Sequence, residues 1–318
     1  MKRRALLAAI VPLTAGCFSG TRTQSDEPAE TPTPTPDETP TETPTETPAD
    51  SSEQTLSDDQ QEAINKINTA QSRLSEAVYI YTGGVSDDLL EVSAAASEFD
   101  DRSVLLKLSA VQTAINEAQR AAVTTEQKET VESLREIQRF LTQATDLQAW
   151  LIEGHEAVAD TYDAIDDDDD EETVKNELDA VERTVENASD PLEIVTGIDS
   201  VAAESTDAIG MDEYEQKQTQ FEHEVDVLEQ LHDALSTIQS ARDGLDAARA
   251  KADDGDYSSA ENAADRADET LDETVDTLED LNDDLPSRAG AFDDLIEDVL
   301  ALAQDHASEA DDLHDQYD

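Results

Sequence analysis

The stretch "LREIQRFLTQATDLQAWLIEGHEAVADTYDAI", Leu134 to Ile165, decides the fold. In it Ile137, Ala144, Leu151, Val158 and Ile165 recur at seven-residue spacing, flanked by Leu134, Leu141 and Leu147. That repeat puts a narrow apolar seam on one side of a helix, as in coiled coils and long bundles. Thr124 and Gln127 form a capping box ahead of it, so the spacing predicts one helix from there to near Asp166. Forty residues at about 1.5 Å each make a rod of roughly 60 Å.

The same pattern extends in both directions. Upstream, Ser57 and Gln60 read as a capping box, and Gly83-Gly84 as the stop of the helix it starts. Ser86 caps a following segment, and a third helix is predicted from about Arg102 to Val123. Downstream, Asp190-Pro191 reads as the N-cap and first residue of a new helix. From Asp212 to Asp253, Phe221, Leu228 and Leu235 form one row, and Leu231, Ile238, Leu245 and Ala252 another. After "DDGDY", Asp253 to Tyr257, come Ala264, Leu271, Leu278 and Leu285, then Pro286 as a stop. A last helix carries Leu295, Val299, Leu302 and Leu313. Alanines on both sides of DDGDY predict a close antiparallel hairpin. "AINKINTAQSRLSEA" from Ala63 and "ALSTIQSARDGLDAA" from Ala234 keep their apolar positions in phase, a hint of internal duplication.

The fold class expected is therefore all-α: an elongated antiparallel bundle of coiled-coil-like hairpins over residues 56–318, behind a disordered linker. Acids dominate, with 79 Asp and Glu against 20 Lys and Arg, a formal charge of −59. Such charge works against a compact state unless salt screens it, so the surface reads as a halophile's. No basic patch exists to neutralise phosphates, which excludes nucleic acid as a partner. The single cysteine excludes a disulfide framework and Cys-ligated zinc.

That cysteine lies in "LTAGCFSG", Leu13 to Gly20. Lys2, Arg3 and Arg4 are followed by an uncharged run, Ala5 to Gly16, too short to span a bilayer and of the length of a signal segment. Ala15 and Gly16, both small, precede Cys17, and the arrangement resembles the lipobox of secreted lipoproteins. Arg3-Arg4 followed by Ala5-Leu6-Leu7 is similar to the twin-arginine export signal. Haloarchaeal surface lipoproteins join these features. The resemblance covers residues 1 to about 50. It implies a signal peptide at 1–16, a lipid on Cys17, and a protein anchored in the cell membrane facing outward. Thr14 stands three residues before the cysteine, where Leu is commonest, and Pro12 interrupts the apolar run. Residues 17–55 include "TPTPTPDETPTETPTETPAD", Thr31 to Asp50, whose prolines and lack of apolar residues predict an extended spacer.

Chemistry-bearing groups are sparse. "DDDDDEE", Asp166 to Glu172, has carboxylates for a cation, but the sixth position, where an EF-hand needs Gly, is Glu171; a solvated loop or helix end is expected. The histidines are His155, His223, His232, His306 and His314. Glu229-x-x-His232 and Asp311-x-x-His314 place an acid and an imidazole on one helix face, as di-iron bundles do. His306-x-x-Glu309 resembles the HxxE of imelysin-like metal-binding helical proteins, whose preceding glycine is here Gln304. Asn187-Ala188-Ser189 is an N-glycosylation sequon. No GxSxG elbow, P-loop, GxGxxG or HExxH is present, so no catalytic residue, metal or cofactor is expected. These features predict a non-enzymatic surface protein, with a structural or protein-interaction role and an envelope protein as partner; oligomers are compatible with it. The alternative is an exported binding module for a metal ion or small solute, built on His232, His306 and nearby carboxylates.

Overall fold

The computed structural model describes residues 56–86, 88–204 and 208–317. The signal segment 1–16 with Arg3 and Arg4, Cys17, and the whole linker to residue 55 lie outside the described residues. The described chain is all-α, with no strand among the described residues. In chain order the helices are α1 (Asp58–Tyr81), α2 (Asp101–Ala121), α3 (Thr125–Asp166), α4 (Glu171–Thr196), the short α5 (Val201–Glu204), α6 (Met211–Asp253), α7 (Tyr257–Asp283) and α8 (Asp293–Tyr317). Single 3-10 segments, Leu89–Glu91 and Ser287–Phe292, precede α2 and α8.

The ends follow local chemistry. Ser57 and Thr124 each complete a capping box with the glutamine three residues on. The C-termini of α1, α3 and α6 close in Schellman motifs, in which a left-handed residue turns two amides back onto the last carbonyls. Gly84 N–H donates to Tyr79 O (2.8 Å) and Gly83 N–H to Ile80 O (3.0 Å). Asp169 and Asp168 repeat this on Ala164 and Ile165, and Asp256 and Gly255 on Lys251 and Ala252. Gly83 (φ +71°) and Gly255 (φ +82°) take that conformation freely, whereas Asp168 adopts it at φ +59° with a side chain. The acidic run is thus a helix end followed by a start: Asp168 closes α3, and Asp170 caps α4 by accepting from Glu172 and Thr173 N–H. Arg242 of α6 donates to the Asp168 carboxylate and to Asp169 O.

Sequential helices pack as hairpins, α1 on α2, α3 on α4, α6 on α7 and α7 on α8, while α3 and α6 form the centre and touch most of the others. The predicted seam residues Leu134, Ile137, Leu141, Ala144, Leu147, Leu151, Val158 and Ile165 are all buried. The hairpins α3–α4 (42 and 26 residues) and α6–α7 (43 and 27 residues) match in length and in their turns. Setting Asp166 against Asp253 puts Ile137, Ala144, Leu151, Val158 and Ile165 opposite Glu224, Leu231, Ile238, Leu245 and Ala252. In the pair noted from sequence, Ala63, Ile67, Ala70, Leu74 and Ala77 are buried in the same phase as Ala234, Ile238, Ala241, Leu245 and Ala248.

Two expectations are corrected. Asp190-Pro191 does not start a helix: α4 runs through it, with Pro191 in its interior. Val174, Val181, Ala188 and Val195, seven residues apart and fully buried, continue one seam across the proline. Tertiary burial outweighs the lost backbone bond, which costs about 3 kcal/mol. Asn187 and Ser189 of the sequon therefore lie exposed on a continuous helix, on either side of the buried Ala188 and with Ser189 Oγ donating to Val185 O (3.1 Å), and not beside a break. The segment after Ser86 is no full helix either. It makes one 3-10 turn and then runs irregularly to Asp100, because its peptide groups find partners on α6.

Close packing makes two glycines respond oppositely. A Cβ on Gly154 of α3 would sit 2.5 Å from Leu228 Cδ2 and 3.0 Å from Thr184 Oγ1, both on buried side chains of facing helices. On Gly244 of α6 it would meet only Ala267 Cβ, at 3.8 Å. Gly154→Ala is expected to lower the unfolding free energy by about 1–3 kcal/mol through overpacking. Gly244→Ala should raise it by about 0.5–1 kcal/mol through helix propensity. Urea titration of both variants checks the pair, and equal signs would contradict this packing.

Candidate functional site

The core holds one polar layer where the seams lead the eye to expect apolar residues. The row Leu231, Ile238, Leu245, extended back by sevens, arrives at Glu224 and Lys217. The row Leu134, Leu141, extended forward, arrives at Gln148. Lys217, Gln220 and Glu224 of α6 and Gln148 of α3 are buried, as is Tyr81 at the end of α1. Positions 217, 220 and 224 share one face of α6, since residues three, four and seven apart stack on a helix.

Every ammonium proton of Lys217 has an acceptor. Nζ donates to Val92 O (2.5 Å), to Gln148 Oε1 (2.9 Å) and to Gln220 Oε1 (3.2 Å). It also lies 4.4 Å from the Phe221 ring centroid and 5.7 Å from that of Tyr81, within cation–π range. Gln220 is the bridge between the charges, its Nε2 donating to Glu224 Oε1 (3.0 Å) and to Val92 O (3.2 Å). Glu224 Oε1 also accepts from Ala94 N–H (3.3 Å), and Tyr81 OH donates to Gln148 Oε1 (3.3 Å). Gln148 Nε2 and Glu224 Oε2 find no hydrogen-bond partner among the described residues.

Burial governs the protonation of this layer. It pushes the Lys217 amine down to about 7, against the opposing fields of Glu224 and Asp88. It pushes the Glu224 carboxyl up, against Lys217, Gln220 and the Ala94 amide. The Tyr81 phenol is raised well above its usual range by burial and then by the Glu224 charge. An amine and a carboxyl joined through one amide hold the Val92 and Ala94 backbone groups in place. Nζ itself is buried, with Val92 O, Gln148 Oε1 and Gln220 Oε1 around it.

The residues singled out from sequence lie elsewhere and do not converge. His232 Nδ1 is 3.3 Å from Asp233 Oδ1. His306 Nδ1 is 3.5 Å from Glu309 Oε2, and Glu309 is shared with Arg249, tying α8 to α6. His155 Nε2 donates to Ala291 O (3.0 Å) beside the Phe292 ring. Among the described residues no three His, Cys, Asp or Glu side chains come together as a metal ion would require, and no helix is long and apolar enough to cross a membrane. The polar layer carries no sequence motif; charged residues on extrapolated seam positions are its visible signal. Comparison with family models, curated proteins and solved structures finds no match to the chain. Fold and layer together define the class: an acidic antiparallel helical protein with one buried polar layer.

Proposed function

We propose that this is an exported protein, lipid-anchored through Cys17 and facing outward, whose role is structural or one of protein contact rather than catalysis. The observation that supports the reading is the order of features along the chain. Basic Lys2, Arg3 and Arg4, an apolar run, small Ala15 and Gly16, Cys17 and the Thr/Pro tract lead directly to a helical unit opened by the Ser57 capping box. In this reading the thiol takes a lipid, the tract is a spacer, and the acidic helices present a surface to an envelope partner. Stable attachment calls for two hydrocarbon chains or a second signal, because one acyl chain binds only marginally.

The test is a Cys17→Ser variant expressed in an exporting host with an acidic, salt-tolerant proteome. It is expected to move from the membrane fraction to the medium, while mass spectrometry of the unaltered protein finds a lipid on an N-terminal Cys17. A variant that stays in the membrane, or an unaltered protein that keeps Met1, would refute the anchor. Cross-linking on intact cells then tests the interaction role.

A further inference from the structure

We propose that residues 88–100 form a releasable strap, fastened by the polar row of α6, that opens locally while the helical bundle stays folded. The strap has little regular structure of its own beyond the turn at Leu89–Glu91. Its peptide groups are fixed by α6 side chains: Leu89 N–H donates to Glu213 Oε1 (2.7 Å), Ala94 N–H to Glu224 Oε1 (3.3 Å), and Val92 O accepts from Lys217 and Gln220. Its Leu89, Val92 and Ala94 are buried, and its Phe99 ring sits edge-on to Tyr81 at 5.1 Å. Buried backbone groups of an irregular segment must have partners, and here side chains supply what a helix or sheet would otherwise provide.

Three observations make the strap separable from the bundle. First, α1 and α2 hold each other without it, through Lys66–Glu117 (2.8 Å), Lys107–Glu76 (2.6 Å) and Arg73 donating to Ala110 O (3.1 Å). Second, an open cleft of about 510 Å³ lies alongside, lined by Tyr81, Val85, Val92, Ala96, Glu98 and Phe99, so the strap has room to move. Third, its Asp88, Glu91 and Glu98 accompany a docking face that contains Glu213 and Glu224, with Lys217 as the cation bonded to its backbone. Like charges across the contact favour opening whenever screening is weak. Opening would uncover Lys217, Gln148 and Gln220 between the Tyr81 and Phe221 rings.

Hydrogen exchange of the full chain in molar salt tests this, read at the Leu89 and Ala94 amides against the interior amides of α3 and α6. Both strap amides are buried and bonded, so slow exchange in step with the interior is the outcome if the segment merely belongs to the core. The expected result is exchange at least roughly a hundredfold faster than the interior, as local opening permits. Gln220→Leu removes the bridge without changing any charge. It should speed exchange at Leu89 and Ala94 by a further roughly tenfold to hundredfold, the range for losing bonds within a charged network, and leave α3 unchanged. Strap amides that exchange only with global unfolding, or a Gln220→Leu variant that accelerates strap and interior equally, would overturn the proposal.

Discussion

Lys217→Met is expected to lower the unfolding free energy by about 3–5 kcal/mol, the usual cost of stranding one member of a buried charged pair. Methionine nearly fills the space of the lysine stem, so lost packing contributes little. What remains is Glu224, buried and with no partner for Oε2 among the described residues, next to a Gln220 that has lost its cation. Adding Glu224→Ile should restore most of the loss, because Ile is what α3 carries at the matching position, Ile137. Two apolar residues remove both desolvation costs, and replacing buried ionisable partners in this way is often neutral or stabilising by about 1–4 kcal/mol. The Ala94 N–H then loses its acceptor, at about 1–3 kcal/mol, so the double variant should fall close to the native stability. Denaturant titration in molar salt reads the native protein, the Lys217→Met and Glu224→Ile single variants and the double variant. If the double variant is as unstable as the two single losses added together, the layer does not act as a coupled unit.

The same pair sets a pH signature. Lys217 is a base held at about 7 against an ordinary 10.5. Between those values the unfolded chain keeps a proton that the folded one has released, so its contribution makes stability rise with pH across that window. Glu224 is an acid with a raised folded value. Its contribution is full below the ordinary 4.5 and is lost as pH rises through the folded value. Against Lys217→Met/Glu224→Ile, the Glu224→Ile variant, in which the lysine titrates without its carboxyl partner, should therefore gain stability from pH 7 toward 10, and a difference that falls over that range would contradict the assignment.

Lowering salt from molar to about 0.1 M is expected to unfold the protein from the α7–α8 end. The screening length grows from about 3 Å to about 10 Å over that change, exposing the self-repulsion of a chain with formal charge −59. Ion pairs do little to offset it, since exposed pairs contribute about 0–1 kcal/mol each. The weakness is uneven. Helix α8 contains no Lys or Arg, and α7 contains Arg266 alone. The first half of the α7 seam is Ala260, Ala264 and Ala267, which bury less apolar area than the leucines and valines of α3 and α4. In α7 an alanine seam coincides with a single cation, and α8 packs on it with none of its own, so α7 and α8 should lose exchange protection first, with loss of ellipticity following. Constant ellipticity and exchange across the range would show that the acidic surface needs no screening.

Much of the architecture was legible along the chain. Thr124 with Gln127, the seam from Leu134 to Ile165, Gly83-Gly84 and DDGDY act within a turn or two of helix. Capping, left-handed stops and seven-residue burial are near-neighbour effects, so the bounds of α1, α3, α6 and α7 follow within a residue or two. The proline at 191 misleads as a local break, because the valines at 174, 181 and 195 are buried as α4 packs on α3 and carry the helix through it. The segment after Ser86 misled for the same reason in reverse, since its peptide groups bond to residues more than a hundred positions away.

By itself, then, the amino-acid sequence determined an all-α fold, the places where most helices start and stop, and an acidic surface, because these depend on periodicity and composition. Only the tertiary structure decided that Lys217, Gln220, Glu224, Gln148 and Tyr81 share one buried layer and clasp the strap. Charged residues on seam positions announce a buried cost, but which groups offset it depends on the helices and loops that pack around them. Low dielectric makes those few contacts strong, and their distance along the chain hides them from any local reading.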